Sequence, residues 1–217
     1  MKLVLKLSLI AALLLIPTAS MAGTSHFLEN YDQLRPGKYV EKYYFDNQAL
    51  HEKAYTSIGL KEIVTCYLKG SWGLKPERAA ALLKGNLRES AIRAQIGQYF
   101  NFESAEHAKA ILEIGITQQS TGSPIGRMTV FPLGWGQAYV RIEGRLKDAD
   151  TGKVIAAFTH FKSSKALWIL EDFNLDSGIG MLKVLYKEMA NDIMKEIGNS
   201  FGLIPETLKD DIPFKYS

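Results

Sequence analysis

Residues 139–147 alternate between hydrophobic and polar side chains, and this period of two predicts a strand with one buried face. Turn-forming residues follow at 148–152, and a second run with strand character covers 154–161. We therefore expect an antiparallel hairpin. We also expect the polar side of its first strand to face solvent rather than to form a site; it carries Arg141, Glu143, Arg145 and Lys147.

Two long stretches have helical periodicity instead. Hydrophobic residues recur at three- to five-residue steps over about 76–100, where Pro76 suits the first turn, and again over about 177–201. Strands are also expected at 58–68 and 108–120. These elements predict an α+β single domain, in which a mainly antiparallel sheet of about four to five strands carries two long helices on one face.

The beginning of the chain has the pattern of a secretory signal peptide. Two lysines precede an apolar run at 7–16, and the small residues Ser20 and Ala22 suit a cleavage site before Gly23. The apolar run is shorter than the roughly 20 residues of a membrane-spanning helix, so we expect cleavage and a periplasmic protein without a membrane span.

The chain is predicted to divide into four parts. Residues 1–22 form the signal peptide, and 23–47 form an N-terminal segment that is helical or irregular. Residues 48–202 form the α/β domain, and 203–217 form a polar C-terminal tail. About 195 mature residues suffice for one domain with its own core.

Cysteine and charge usage narrow the class of protein further. Cys66 is the only cysteine, so no internal disulfide is expected, and no cysteine follows the cleavage site to carry a lipid anchor. Removing Lys2 and Lys6 from the 26 basic residues leaves 24, against 23 acidic residues. Charges of both signs are mixed along the chain, which argues against a nucleic-acid partner.

No motif with catalytic or metal-binding spacing is present. The chain has no G-x-S-x-G sequence, and its four histidines stand in unrelated contexts. The glycine-rich stretch at 122–136 leads into a strand and has no Lys-Ser/Thr ending of a phosphate loop. We therefore predict no catalytic residue, no metal and no cofactor, and the sequence favours a non-enzymatic protein.

Aromatic and methionine residues outside the periodic elements are the candidate binding residues. They are Tyr43 and Tyr44 near the N-terminus, and Met128, Phe131 and Trp135 in the long loop at 121–136. Each of them could instead cover the core of this chain, and both interpretations stay open at this point.

Three parts of the sequence resemble a known group of proteins. They are "HFLENYDQLRPG" near the mature N-terminus, "AYVRIEGRLKDADTGKVIAAF" in the hairpin, and the closing amphipathic helix. Over residues 27–201 the chain resembles the periplasmic α/β domain of the curli-secretion CsgG-type lipoproteins and uncharacterised lipoprotein families related to it. The resemblance implies a bacterial envelope protein and transfers no functional residue. Those families carry a lipidated cysteine, which is absent here.

We expect a periplasmic protein that binds an envelope protein or associates with itself, in envelope assembly or transport. One alternative is a secreted hydrolase whose site lies under the 121–136 loop. Another is a module that binds a small molecule or a lipid. An acid–histidine pair lining a pocket would favour the hydrolase. An exposed aromatic patch would favour binding of a protein partner, and a closed apolar cavity would favour the ligand-binding module.

Overall fold

The structure is a computed structural model that describes residues 25–52, 55–65, 68, 73–122, 137–164 and 177–204. Its strands are β1 (Arg35–Pro36), β2 (Lys42–Phe45), β3 (Ile58–Leu60), β4 (Phe100–Asn101), β5 (Ala110–Ser120), β6 (Tyr139–Asp148) and β7 (Val154–Ser163). Its helices are α1 (Asn47–Glu52), α2 (Pro76–Arg93) and α3 (Ser177–Ser200), and a short 3-10 turn covers Gly97–Tyr99.

The seven strands form one mixed sheet in the order β1-β2-β7-β6-β5-β3-β4. The β1, β2, β7, β6 and β5 strands pair in antiparallel fashion. The β3 strand is parallel to both β5 and β4. The predicted hairpin is confirmed, because β6 and β7 pair along almost their full length with Gly144 opposite Phe158.

The predicted fold class was wrong in its sheet. The described residues form seven strands rather than four or five, the sheet is mixed, and α1 is a third helix. The sequence did not predict β1 and β4, which have two residues each, and β3 keeps only Ile58–Leu60 of the strand expected over 58–68. Such segments show no period-two pattern, and their strand conformation depends on the neighbour with which they pair.

The main core lies between the sheet and the two long helices. On the side of the sheet that faces the helices, β5 contributes alternate residues such as Leu112, Ile114 and Ile116, and α3 contributes Leu182, Tyr186 and Ile193. All six side chains are fully buried. Burial of this apolar surface is the main stabilising term of the domain.

Both long helices end in the same hydrogen-bond motif. In α3 the left-handed residue after the helix is Gly202 (φ 62°), and Leu203 donates to the Gly198 carbonyl over 2.8 Å. In α2 that residue is Gln95 (φ 59°), and Ile96 donates to the Ala91 carbonyl over 2.9 Å. A glutamine is not a residue type that predicts a left-handed conformation. The sequence therefore predicted an end of α2 near residue 100, whereas the helix ends at Arg93.

None of the helices among the described residues combines the length and the apolar composition that a membrane crossing requires.

Candidate functional site

The sheet has an outer face, on the side away from α2 and α3, and it is not simply exposed to solvent. Residues 25–34 lie across it and form a second small core, built from Phe27, Leu28, Leu34 and Ala157. Glu143 is only 2% exposed beneath this segment. The expectation that the polar side of β6 faces solvent is therefore wrong at its centre, because residues more than 100 positions away in the sequence cover it.

A glycine on β5 accommodates the covering segment. The Phe27 ring lies against Gly115, where an added β-carbon would come within 2.6 Å of the ring. The Arg145 guanidinium carbon lies over the same ring, 5.6 Å from its centre. The aromatic ring thus contacts a backbone position without a side chain and a cation, which attracts the face of the ring.

Tyr31 of the same segment satisfies the buried glutamate. Its hydroxyl donates to a Glu143 carboxylate oxygen over 2.6 Å. Burial and this hydrogen bond to a carboxylate raise the pKa of Tyr31, so the phenol keeps its proton at neutral pH. A hydrogen bond with a charged acceptor is worth more than a neutral one, and this bond fixes the covering segment on the sheet.

A carboxylate on β5 holds three cations beside this segment. Glu113 lies 2.9 Å from Lys61, 2.7 Å from Arg145 and 3.3 Å from Lys147. Partial burial by itself would raise the pKa of Glu113, but hydrogen bonds from Lys61 and Arg145 and the nearby positive charges lower it to about 2. The three cations outnumber this carboxylate, and the contacts they make with it give the cluster the character of a structural anchor.

The Glu113 cluster should make stability sensitive to acid. The ordinary pKa of the group is 4.5 and its folded value is about 2. The ionised carboxylate therefore stabilises the fold fully above pH 4.5, and this stabilisation is lost as the pH falls toward 2. We expect Glu113→Gln to lower the free energy of unfolding by about 2 kcal/mol at pH 7, after allowance for partial exposure, and by almost nothing at pH 2.

Urea unfolding at the two pH values measures this effect. Glu62→Gln, at an exposed position nearby, is the matched control and should change stability little at either pH. An equal loss for Glu113→Gln at pH 7 and pH 2 would contradict the assignment.

The open end of the outer face carries an aromatic and cationic patch. We call Tyr139, Arg141 and Phe161 the outer-face patch. Phe161 is 38% exposed, and its ring centre lies 5.9 Å from that of Tyr139 and 5.1 Å from the Arg141 guanidinium carbon. The Nη1 atom of Arg141 lies 3.8 Å from Glu41, whereas its buried Nε has no hydrogen-bond partner. Tyrosine, phenylalanine and arginine are the residue types enriched where proteins bind one another.

Sequence reasoning missed this patch, although its residues were visible. The alternation along β6 places Arg141 on a solvent-facing side, and Phe161 is the last residue of the predicted hairpin. Since Phe161 directly opposes Arg141 in the β6–β7 register, the outward position of an aromatic residue in the second strand was the available signal.

The structure separates the binding residues predicted from sequence. Tyr43 lies in the main core and is 8% exposed, while Tyr44 points to the outer face and packs against the small core there. Met128, Phe131 and Trp135 lie outside the described residues. The stretch that carries them joins the end of β5 to the start of β6, where Ser120 pairs with Tyr139.

Two acid–histidine pairs occur among the described residues: His107 with Glu106 is exposed, and His160 with Asp192 is largely buried and structural in character. His160 lies 3.1 Å from Asp192 through Nε2, and its Nδ1 accepts the backbone N–H of Glu41 over 3.3 Å. Both ring nitrogens are therefore engaged, and the side chain is 6% exposed. No group of three or more metal-ligating side chains occurs among the described residues.

Two shallow pockets lie between α2 and the β3–β4 edge of the sheet. Their volumes are 240 and 320 Å³, and they share Phe102 and Glu103 in their walls. Neither is a closed apolar cavity, and neither is lined by one of the acid–histidine pairs. Their linings combine apolar and charged side chains and contain no Ser, Thr or Cys that could act as a nucleophile.

No protein-family model matches the chain, and no curated protein matches it. Several solved structures are similar at a distance. The PelC dodecamer from Paraburkholderia phytofirmans gives a TM-score of 0.41 at 10% identity, covering 64% of this chain and 89% of that one. A DUF330 protein from Xanthomonas campestris gives a TM-score of 0.44 at 8% identity, covering 67% of this chain and 85% of that one.

A lipoprotein from Neisseria meningitidis gives a TM-score of 0.35 at 15% identity, covering 64% of this chain and 97% of that one. All three TM-scores are below 0.5, so the likeness is distant and we draw no functional conclusion from it. The resemblance to the CsgG-type domain stays a prediction.

Proposed function

We propose that this chain is a non-enzymatic protein of the bacterial periplasm that binds an envelope protein through the outer-face patch. The observation that carries this proposal is the partly exposed Phe161, which contacts Tyr139 and Arg141 on the face that the helices leave open. Periplasmic location is proposed from the predicted signal peptide at 1–22.

The patch has the energetic features of a binding anchor. Its aromatic rings contact each other and a guanidinium, so little conformational freedom remains to be lost on binding. Around the outer-face patch, the Glu113 cluster and the covering segment hold the rest of the outer face in place.

We further propose that Met128, Phe131 and Trp135 belong to the same binding surface. The chain leaves β5 and enters β6 at the end of the sheet where the outer-face patch lies. Tyr44 is proposed to border this surface on the side of β2, whereas Tyr43 faces the core and is not proposed to contact a partner.

Site-specific photo-crosslinking in the native host tests the proposal. A benzophenone amino acid replaces Phe161, and the same group at Val184 serves as control, because their exposures of 38% and 42% are matched and Val184 lies on α3. We expect one defined adduct from position 161, identified by mass spectrometry as one envelope protein or as a second copy of this chain. Adding Arg141→Ala should reduce its yield about tenfold.

The proposal fails if position 161 yields no adduct while the protein is folded and exported. It also fails if position 184 yields the same adduct with equal efficiency, since the outer-face patch would then hold no special position.

A further inference from the structure

The acidic residues of α3 are turned into the protein. Asp192 lies 2.7 Å from Lys162 and 3.1 Å from His160, and Glu188 lies 3.1 Å from the same lysine. Glu196 is 4% exposed and accepts two backbone N–H groups from the turn before β2, over 2.5 and 3.1 Å. Each negative charge on this helix is therefore compensated inside the fold.

The solvent-exposed stripe of α3 is cationic as a result. Gly180, Lys183, Val184 and Lys187 are its exposed residues, and their spacing places them on one side of the helix. Neither lysine has an ion-pair partner within the part of the chain that the structure describes. Val184 stands between them with 42% of its surface exposed.

The neighbouring helix α2 also carries exposed cations, two of which are paired: Arg88 lies 3.6 Å from Glu103, and Arg93 contacts Glu89. Ile92 is 63% exposed and lies between Arg88 and Arg93 in this helix. Six exposed cations occur on the two helices and the residue before α2, namely Lys75, Arg78, Arg88, Arg93, Lys183 and Lys187. The exposed acids beside them are three, Glu77, Glu89 and Glu103.

The two helices share one outward surface. They pack side by side on the same face of the sheet, and Gly198 near the end of α3 lies against Ile96, just beyond the end of α2. We call this surface the helical layer. Two of the four exposed large hydrophobic side chains of the described residues, Ile92 and Val184, stand on it among cations.

We propose that the helical layer docks on an anionic phospholipid surface, with Lys183 and Lys187 at the headgroup phosphates and Val184 and Ile92 inserted at the interface. Single apolar side chains spaced among long, flexible lysines are typical of contact with a lipid interface. A protein interface would instead need a contiguous apolar centre depleted of charge. The inference is independent of the proposed function, which concerns the opposite face of the sheet.

Vesicle co-sedimentation of the purified protein tests this inference. The probes are vesicles of phosphatidylglycerol with phosphatidylethanolamine, and neutral vesicles of phosphatidylcholine. We expect binding to the anionic vesicles alone, weakening as salt rises, because headgroup attraction is screened beyond a Debye length.

Charge variants locate the contact. Each removed lysine should lower the partition coefficient about fivefold, so Lys183→Gln with Lys187→Gln should lower it about 30-fold. Lys42→Gln with Lys109→Gln removes the same net charge from exposed positions outside the helices and should change it less than threefold. Val184→Ser with Ile92→Ser should lower it roughly tenfold by removing the inserted groups.

Three outcomes would overturn the inference. Equal binding to neutral vesicles would show that headgroup charge does not direct the membrane binding. An equal loss of binding in both pairs of lysine variants would show that the helical layer is not the contact surface. If the protein is folded by circular dichroism but does not bind anionic vesicles at low salt, the helical layer does not bind lipid. An acidic protein would then be the partner that its charge favours.

Discussion

Replacing Phe158 with alanine is expected to lower the free energy of unfolding by about 3–5 kcal/mol. The side chain is 2% exposed and lies in the main core on the β7 side of the sheet. Its ring occupies the space above Gly144, the residue opposite it on β6. Removing the ring leaves a cavity that a glycine on the paired strand cannot fill.

Gly144→Ala tests the same contact from the other strand. A β-carbon at this position would lie well inside van der Waals distance of the Phe158 ring. We expect a loss of about 1–3 kcal/mol from overpacking. In the double variant the methyl group occupies part of the cavity, so the combined loss should be smaller than the sum of the single losses.

Urea unfolding of the four proteins measures this coupling. Phe161→Ala, on the same strand but on the outer face, is the control and should cost under about 1 kcal/mol because the ring is partly exposed. Strictly additive losses at Gly144 and Phe158 would show that the ring does not rest on the glycine.

Replacing Glu196 with alanine is expected to lower the free energy of unfolding by about 2–4 kcal/mol. One of its carboxylate oxygens accepts the backbone N–H groups of Tyr39 and Val40, and the side chain is almost fully buried. Alanine would leave both donors without a partner in a buried setting, which costs about 1–3 kcal/mol for each group.

The loss should be localised as well as large. The turn held by Glu196 leads directly into β2, so hydrogen exchange should accelerate at residues 37–45 before it does in β6. Glu196→Gln is the matched control, because its amide oxygen can still accept both hydrogen bonds. Exchange that rises evenly across the whole sheet, or an equal loss in the glutamine variant, would contradict this role.

The sequence by itself determined the elements that carry their own pattern. The β6–β7 hairpin follows from period-two alternation around a turn, and α3 (Ser177–Ser200) follows from the apolar stripe that predicted a helix over about 177–201. These signals are local, since each depends on residues within a few positions of one another. They were sufficient for the hairpin, for α3 and for the beginning of α2, but not for the end of α2 at Arg93.

Only the tertiary structure decided the edges of the sheet and the character of its two surfaces. The two-residue strands β1 and β4 exist because neighbouring strands pair with them, and β3 ends at Leu60 although the sequence predicted a strand to residue 68. Glu143 is buried because residues 25–34 cross the outer face. The near-neutral composition conceals a cationic helical layer, because Lys162, His160 and backbone N–H groups compensate the acids of α3 inside the fold. Each outcome depends on contacts between residues distant in the chain, which no local pattern encodes.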